Sequence, residues 1–177
     1  LVGHDAVREA LVNPERGVFN VKRSMGDPHF RFDVDGDVYT PEAVSSLILR
    51  KITQDAARHV GEIHKAVITV PAYFDDARRK ATEDAGAIAG LNVIDIINEP
   101  TAAALAYGFS GKGTDGVFIV YDLGGGTFDV TVIEKRGSDL ITLATDGDVQ
   151  LGGKDWDERL VNELARRFHD EFRADPR

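Results

Sequence analysis

Apolar positions along the chain switch between two periods, and the switches divide it into elements. Val7, Ala10 and Leu11 fall on one face of a short helix that ends at Asn13-Pro14. Gly17 to Arg23 reads as a short extended run. Phe30 to Tyr39 alternates apolar and polar residues about Asp35-Gly36, which predicts a hairpin with a primed turn. Thr40-Pro41-Glu42 opens a long helix with an N-cap, a proline at the first position and an acid in the first turn. Val44, Leu47, Ile48, Ile52, Ala56 and Val60 form its buried stripe, and Gly61 ends it. Ala66 to Val70 is a nearly continuous apolar run, as expected of a strand covered on both faces. A helix from Asp75 to Ala89, a strand over Asn92 to Ile97 and an alanine-rich helix from Asn98-Glu99 to Gly108 follow. Strand, helix, strand, helix with short connections is an α/β pattern. Residues 109–116 form a polar link. Two β-branched runs, together Val117 to Ile133, then flank Gly124-Gly125-Gly126, and Leu140 to Thr145 adds a third strand. A final helix carries Trp156, Leu160, Leu164, Phe168 and Phe172 as its predicted core stripe.

The chemistry concentrates at the glycine hairpin. Glycines leave backbone N–H groups open to a ligand and allow φ > 0, so Gly124, Gly125, Gly126 and Thr127 suit a phosphate. Asp122 and Asp129 bracket the tip, where they could hold a hydrated metal ion against that phosphate. A tight turn whose glycines serve only the backbone is the simpler alternative. Gly152-Gly153 precedes a helix and is a second candidate anion site. Pro71 and Glu99 lie just past strand ends, where α/β sheets bind ligands, although Glu99 equally suits a helix dipole. Lys22-Arg23, taken alone, reads as a solvated surface pair. Asp33, Asp35 and Asp37 resemble a calcium loop, but Val44 stands where its glutamate belongs. Gly111-Lys112-Gly113-Thr114 lacks the remaining residues of a Walker loop and reads as loop.

Composition excludes several classes. A net charge of −9 over 177 residues, with no basic run, argues against broad nucleic-acid or anionic-membrane binding. There is no cysteine, hence no disulfide or thiolate metal site. The five histidines show no ligand spacing, and no apolar stretch approaches the ~20 residues needed to span a bilayer. The N-terminus lacks an initiator methionine and a signal-peptide pattern, and both ends read as interruptions of a longer cytoplasmic chain.

Five phrases together closely resemble the seventy-kilodalton heat-shock chaperones of the DnaK type. They are Val18-Phe-Asn-Val-Lys-Arg23, Ala66-Val-Ile-Thr-Val-Pro-Ala-Tyr-Phe74, Ile97-Asn-Glu-Pro-Thr-Ala-Ala-Ala-Leu-Ala-Tyr-Gly108, the glycine hairpin, and Leu151-Gly-Gly-Lys-Asp-Trp-Asp157. The resemblance implies an α/β, actin-like ATPase fold with ribonuclease-H-like lobes and ATP or ADP with Mg2+ between them. It implies that residues 1–39 are the outer part of the first lobe and 40–112 its core. Residues 113–152 would begin the second lobe's core and 153–177 its outer part. By resemblance, Gly125, Gly126 and Thr127 bind the β- and γ-phosphates, and Lys22 stabilises the transferred charge. Glu99 positions water or hydrated magnesium; Asp122 and Asp129 act in the same shell, Asp122 through metal-bound water. Pro71 and Arg79 resemble a switch that relays nucleotide state to a substrate-binding domain. Unfolded client polypeptides, a J-domain co-chaperone and a nucleotide-exchange factor are the implied partners. A first phosphate loop, the adenosine-binding segments and the peptide-binding domain of that family are absent, and Lys154 stands where the family usually has an acid. The expectation is an ATPase in the intact protein and an inactive isolated fragment carrying half a nucleotide site. A phosphotransferase of the same superfamily and a non-catalytic relative are the alternatives.

Overall fold

The computed structural model describes residues 1–109 and 114–177; the Gly111-Lys112-Gly113 loop reading and the boundary near residue 112 fall on residues outside it. The chain begins with helix α1 (His4–Val12) and a 3-10 turn at Pro14–Arg16. Only Ala10 of the expected apolar face is buried; Val7 and Leu11 are exposed. Gly17 to Arg23 does not stay extended. Asn20 adopts the left-handed region (φ 55°, ψ 31°), which asparagine tolerates better than most residues. The reversal winds Val21–Ser24 into a second 3-10 turn. Strands β1 (Phe32–Val34) and β2 (Asp37–Tyr39) form the predicted hairpin, and Asp35 (φ 57°) and Gly36 (φ 88°) supply the two positive dihedrals of a primed turn. Asp35 is held by the Arg16 fork at 2.7 Å on both oxygens, a surface ion pair.

Helix α2 (Pro41–Val60) starts where its capping residues predict: the Thr40 hydroxyl accepts the Ala43 N–H at 3.3 Å, and Gly61 closes it at φ 83°. Strand β3 (Lys65–Val70), helix α3 (Asp76–Ile88) and strand β4 (Asn92–Asn98) form a parallel crossover unit, with β3 and β4 hydrogen-bonded. The Asp75 carboxylate caps α3 through the Arg78 N–H at 2.9 Å. α3 lies tight on the sheet because Gly86 has no side chain; a Cβ there would meet Val93 Cγ2 at 2.3 Å. Met25, Val70, Phe74, Ala81 and Ala85 make the core of this unit, with Leu49, Ile96 and Val149 against it. The expectation that β3 is covered on both faces fails. Its exposure alternates, and Val67 is 48% exposed, since no described element lies over that side.

Helix α4 (Glu99–Phe109) runs directly from β4 and touches both this pair and the next sheet, so it bridges them. That sheet is antiparallel, ordered β5 (Gly116–Leu123), β6 (Phe128–Arg136), β7 (Asp139–Asp148). β5 is two-sided: Val117, Ile119 and Tyr121 are exposed while Phe118 and Val120 turn toward α4 and the sheet interior. Helix α5 (Gly153–Phe172) corrects another expectation. Trp156, Leu160, Leu164, Phe168 and Phe172 are 41–63% exposed, and Ala165 alone is buried. The stripe is apolar, yet no described element covers it. No helix among the described residues is long and apolar enough to cross a membrane.

Candidate functional site

The tip between β5 and β6 is tied down by its carbonyl oxygens. The Gly153 N–H donates to Gly124 O at 3.0 Å, the Lys154 N–H to Gly125 O at 3.0 Å, and Arg23 Nε to Gly126 O at 2.8 Å. A trans peptide is planar, so each C=O is opposed by the N–H of the following residue. The fastened carbonyls therefore turn the N–H groups of Gly125 and Gly126 away from α5 and that of Thr127 away from Arg23. The Gly125 and Gly126 N–H groups have no protein acceptor among the described residues. Consecutive free amides of this kind form an anion-binding concavity.

The glycines achieve this differently from the sequence expectation. None of Gly124, Gly125 or Gly126 has positive φ. The residue that must lack a side chain is Gly152, whose Cβ would sit 2.5 Å from Gly125 C and Gly126 N. Its φ of −173° is extended and open to any residue, so the requirement is contact alone. The amides offered as a second anion site are already engaged: Gly153 N with the tip, and Gly152 N with the Asp155 carboxylate at 2.7 Å. Gly152 and Gly153 thus shape the tip rather than present free donors.

Arg23 and Asp155 complete the anchorage. The guanidinium that grips Gly126 O also forks onto Asp155 at 3.0 and 2.5 Å. That pairing holds the Asp155 carboxyl down at about 2, the hydrogen bonds from Arg23 acting most strongly. Asp155 reaches back three residues to the Gly152 N–H, as the acidic half of a capping box does, although Gly152 has no side chain to return the bond. What no spacing revealed is the partner, 132 residues upstream.

The charged groups meet beside the tip. Lys22 Nζ lies 2.9 and 3.2 Å from the two oxygens of Glu99, the residue that joins β4 to α4. Asp122 and Asp129 are directly paired across β5 and β6, so their side chains share a face. Asp129 is 1% exposed, and its Oδ1 has no hydrogen-bond partner. Burial pushes this carboxyl up, and the Glu99 and Asp122 charges add to that, while the backbone N–H groups of Tyr73 and Ala72 pull it back. A buried, orphaned carboxylate oxygen is costly unless a ligand or water completes it. Among the described residues no three carboxylates lie close enough to ligate an ion directly. The carboxylates of Asp122 and Asp129 are hard oxygen donors, the kind magnesium takes one or two at a time with water and phosphate filling the rest of its shell.

The predicted switch residues are linked to this cluster. Pro71 is buried at the end of β3. Arg79 reaches back over the following turn, donating to Phe74 O at 3.0 Å, Ala72 O at 3.4 Å and Asn98 Oδ1 at 2.6 Å. Asn98 precedes Glu99, so one guanidinium ties the Pro71 turn to the backbone that carries Glu99. The turn's amides in turn face Asp129. Lys22, Glu99, Asp129, Asp122, Pro71 and the tip are thereby gathered from segments spread over more than a hundred residues. A family model described as Hsp70 protein matches residues 26–177, which includes all of these but the Lys22-Arg23 turn.

Proposed function

The chain belongs to the Hsp70 family, and from that premise we propose that it forms the phosphate-facing part of a DnaK-type chaperone's ATPase domain, of actin-like fold. The observation that carries the reading is the run of three amide N–H groups at the tip, in the same molecule that pairs Lys22 with Glu99 beside a buried Asp129. In this reading residues 40–112 belong to the core of the first lobe and 113–152 to that of the second. Gly125, Gly126 and Thr127 hold the β- and γ-phosphates by backbone N–H donation. Lys22 neutralises charge on the transferred group, and its bond to Glu99 keeps it extended toward the cleft. Glu99 and Asp129 orient water, and Asp122 holds water bound to Mg2+. The ion supplies charge neutralisation across the phosphates; the residues supply position, which is most of what phosphoryl transfer requires. Through Pro71 and Arg79 the nucleotide state reaches a substrate-binding domain that takes unfolded polypeptide, with a J-domain co-chaperone and an exchange factor as partners.

Lys22→Ala in the full chain tests this. Loss of one charge-stabilising donor corresponds to about 3–4 kcal/mol of barrier, a 10²–10³-fold fall in single-turnover ATP hydrolysis. A wild-type rate would remove Lys22 from the chemistry and the reading with it. The 177 residues alone are expected to bind ATP weakly and hydrolyse it negligibly; calorimetry giving a micromolar Kd for the isolated chain would contradict that.

A further inference from the structure

Among the described residues, Arg23 is the one side chain that hydrogen-bonds a carbonyl of the tip. Gly124 O and Gly125 O are held by the backbone of α5, but Gly126 O is held by Arg23 Nε at 2.8 Å. By the geometry of the peptide, the direction of the Thr127 N–H is then set by Arg23. The guanidinium cannot drift, because Asp155 grips its other edge at 3.0 and 2.5 Å and is itself fixed by the Gly152 N–H at 2.7 Å. Its side chain is only 12% exposed. This is a planar fork used on two acceptors at once, which a lysine ammonium does not reproduce. Lys22, its neighbour, points elsewhere, to Glu99.

We propose that Arg23 and Asp155 act as a positioning pair that sets the Gly126–Thr127 peptide so that its N–H faces the terminal phosphates of a nucleoside polyphosphate. The proposal rests on the phosphate-site reading above. It assigns to Arg23 no contact with the ligand; the residue works through the peptide it holds. Without the fork the Gly126–Thr127 peptide is free to rotate, and one of three donors is no longer preset.

The test uses the full chain with Arg23→Lys, which keeps the charge, and Asp155→Asn, which weakens the fork from the other side and carries the test if the lysine variant does not fold. Two readouts are needed. In the ligand-free protein, the amide resonances of Gly126 and Thr127 should move in either variant while those of α3 stay in place. In calorimetry with ADP as the probe, affinity should fall about tenfold or more, and the double variant should be no weaker than the weaker single one, because both remove the same fork. Unmoved tip resonances, or ADP affinity within twofold of wild type, overturn the proposal. So does additive loss in the double variant, which would mark two unrelated structural roles. Lys22→Ala separates the two layers. If it abolishes hydrolysis while Arg23→Lys keeps ADP affinity, the positioning pair fails and the nucleotide reading stands. If the wild-type full chain binds no ADP, the nucleotide reading fails, and this proposal with it.

Discussion

Replacing Gly152 by alanine puts a methyl group against backbone that has nowhere to go. The added Cβ would lie 2.5 Å from Gly125 C and Gly126 N and 2.6 Å from Gly125 O, about 0.9 Å inside the 3.4 Å at which ordinary contact begins. The dihedrals of Gly152 are extended, so the substitution carries no conformational strain and the effect is purely one of contact. Overpacking of this order costs about 1–3 kcal/mol. Relief by separation lengthens the bonds from Gly153 N to Gly124 O and from Lys154 N to Gly125 O, each contributing about 1 kcal/mol. The expected destabilisation is therefore about 3 kcal/mol, read by urea denaturation of the full chain. The comparison that gives the test its edge is Gly125→Ala. Nothing lies within 4 Å of a Cβ at Gly125, and its φ is not left-handed, so stability should stay within about 0.5 kcal/mol. The methyl would nonetheless sit on the tip, so anion binding should suffer. A Gly152→Ala protein as stable as wild type, or a Gly125→Ala protein as damaged as Gly152→Ala, would refute the account of how the tip is held.

Further outcomes follow from other contacts. Asp129→Asn should raise stability at neutral pH: burial raises the folded carboxyl above its unfolded value near ~3.9, so its ionisation opposes folding as pH climbs past that window. The gain should vanish below about pH 3.9, where both states are protonated; urea titrations at pH 7 and pH 3.5 that give the same difference would contradict it. Asp155 behaves oppositely. Its folded value of about 2 means that its contribution is complete above the unfolded value and is lost as pH falls toward 2, so Arg23→Met should flatten that acid limb of the stability profile. Gly86→Ala should cost about 1–3 kcal/mol, because its Cβ would meet Val93 Cγ2 at 2.3 Å and Ile68 Cδ1 at 3.0 Å; an unchanged denaturation midpoint would argue that α3 stands further off the sheet.

Local signals in the sequence carried well where a residue acts on its own neighbours. Thr40-Pro41, Asp75 and Gly61 marked helix ends, and Asp35-Gly36 marked the primed turn, because caps and turns are decided within a few residues. The order and direction of β3, α3 and β4 followed from strand and connection lengths. Periodicity also found the apolar stripe of α5, yet misjudged its fate: a pattern tells which face is apolar, not what lies over it, and Trp156 at 63% exposure is the result. The tip glycines were located as open backbone amides, but the second reason given for them, left-handed backbone, applies at other positions. The need for glycine at 152 arises from a contact with residues 125 and 126, which no local rule contains. Likewise Glu99 was a candidate from its place just past a strand end and Lys22 gained its role only through family likeness, but their pairing was not foreseen, since partners 77 residues apart leave no spacing to read. Arg23, Asp155 and Asn98 were passed over for the same reason.

The 3-10 turn at Val21–Ser24 places Lys22 and Arg23 side by side in sequence but about 120° apart around the axis, three residues completing one turn. One arm ends on Glu99 beside the parallel pair, the other on the tip of the antiparallel sheet. A single short turn thus works as a gauge block between two bodies: both arms seat together only at one spacing. Any motion that slides one sheet past the other strains both arms together, because the same turn carries them.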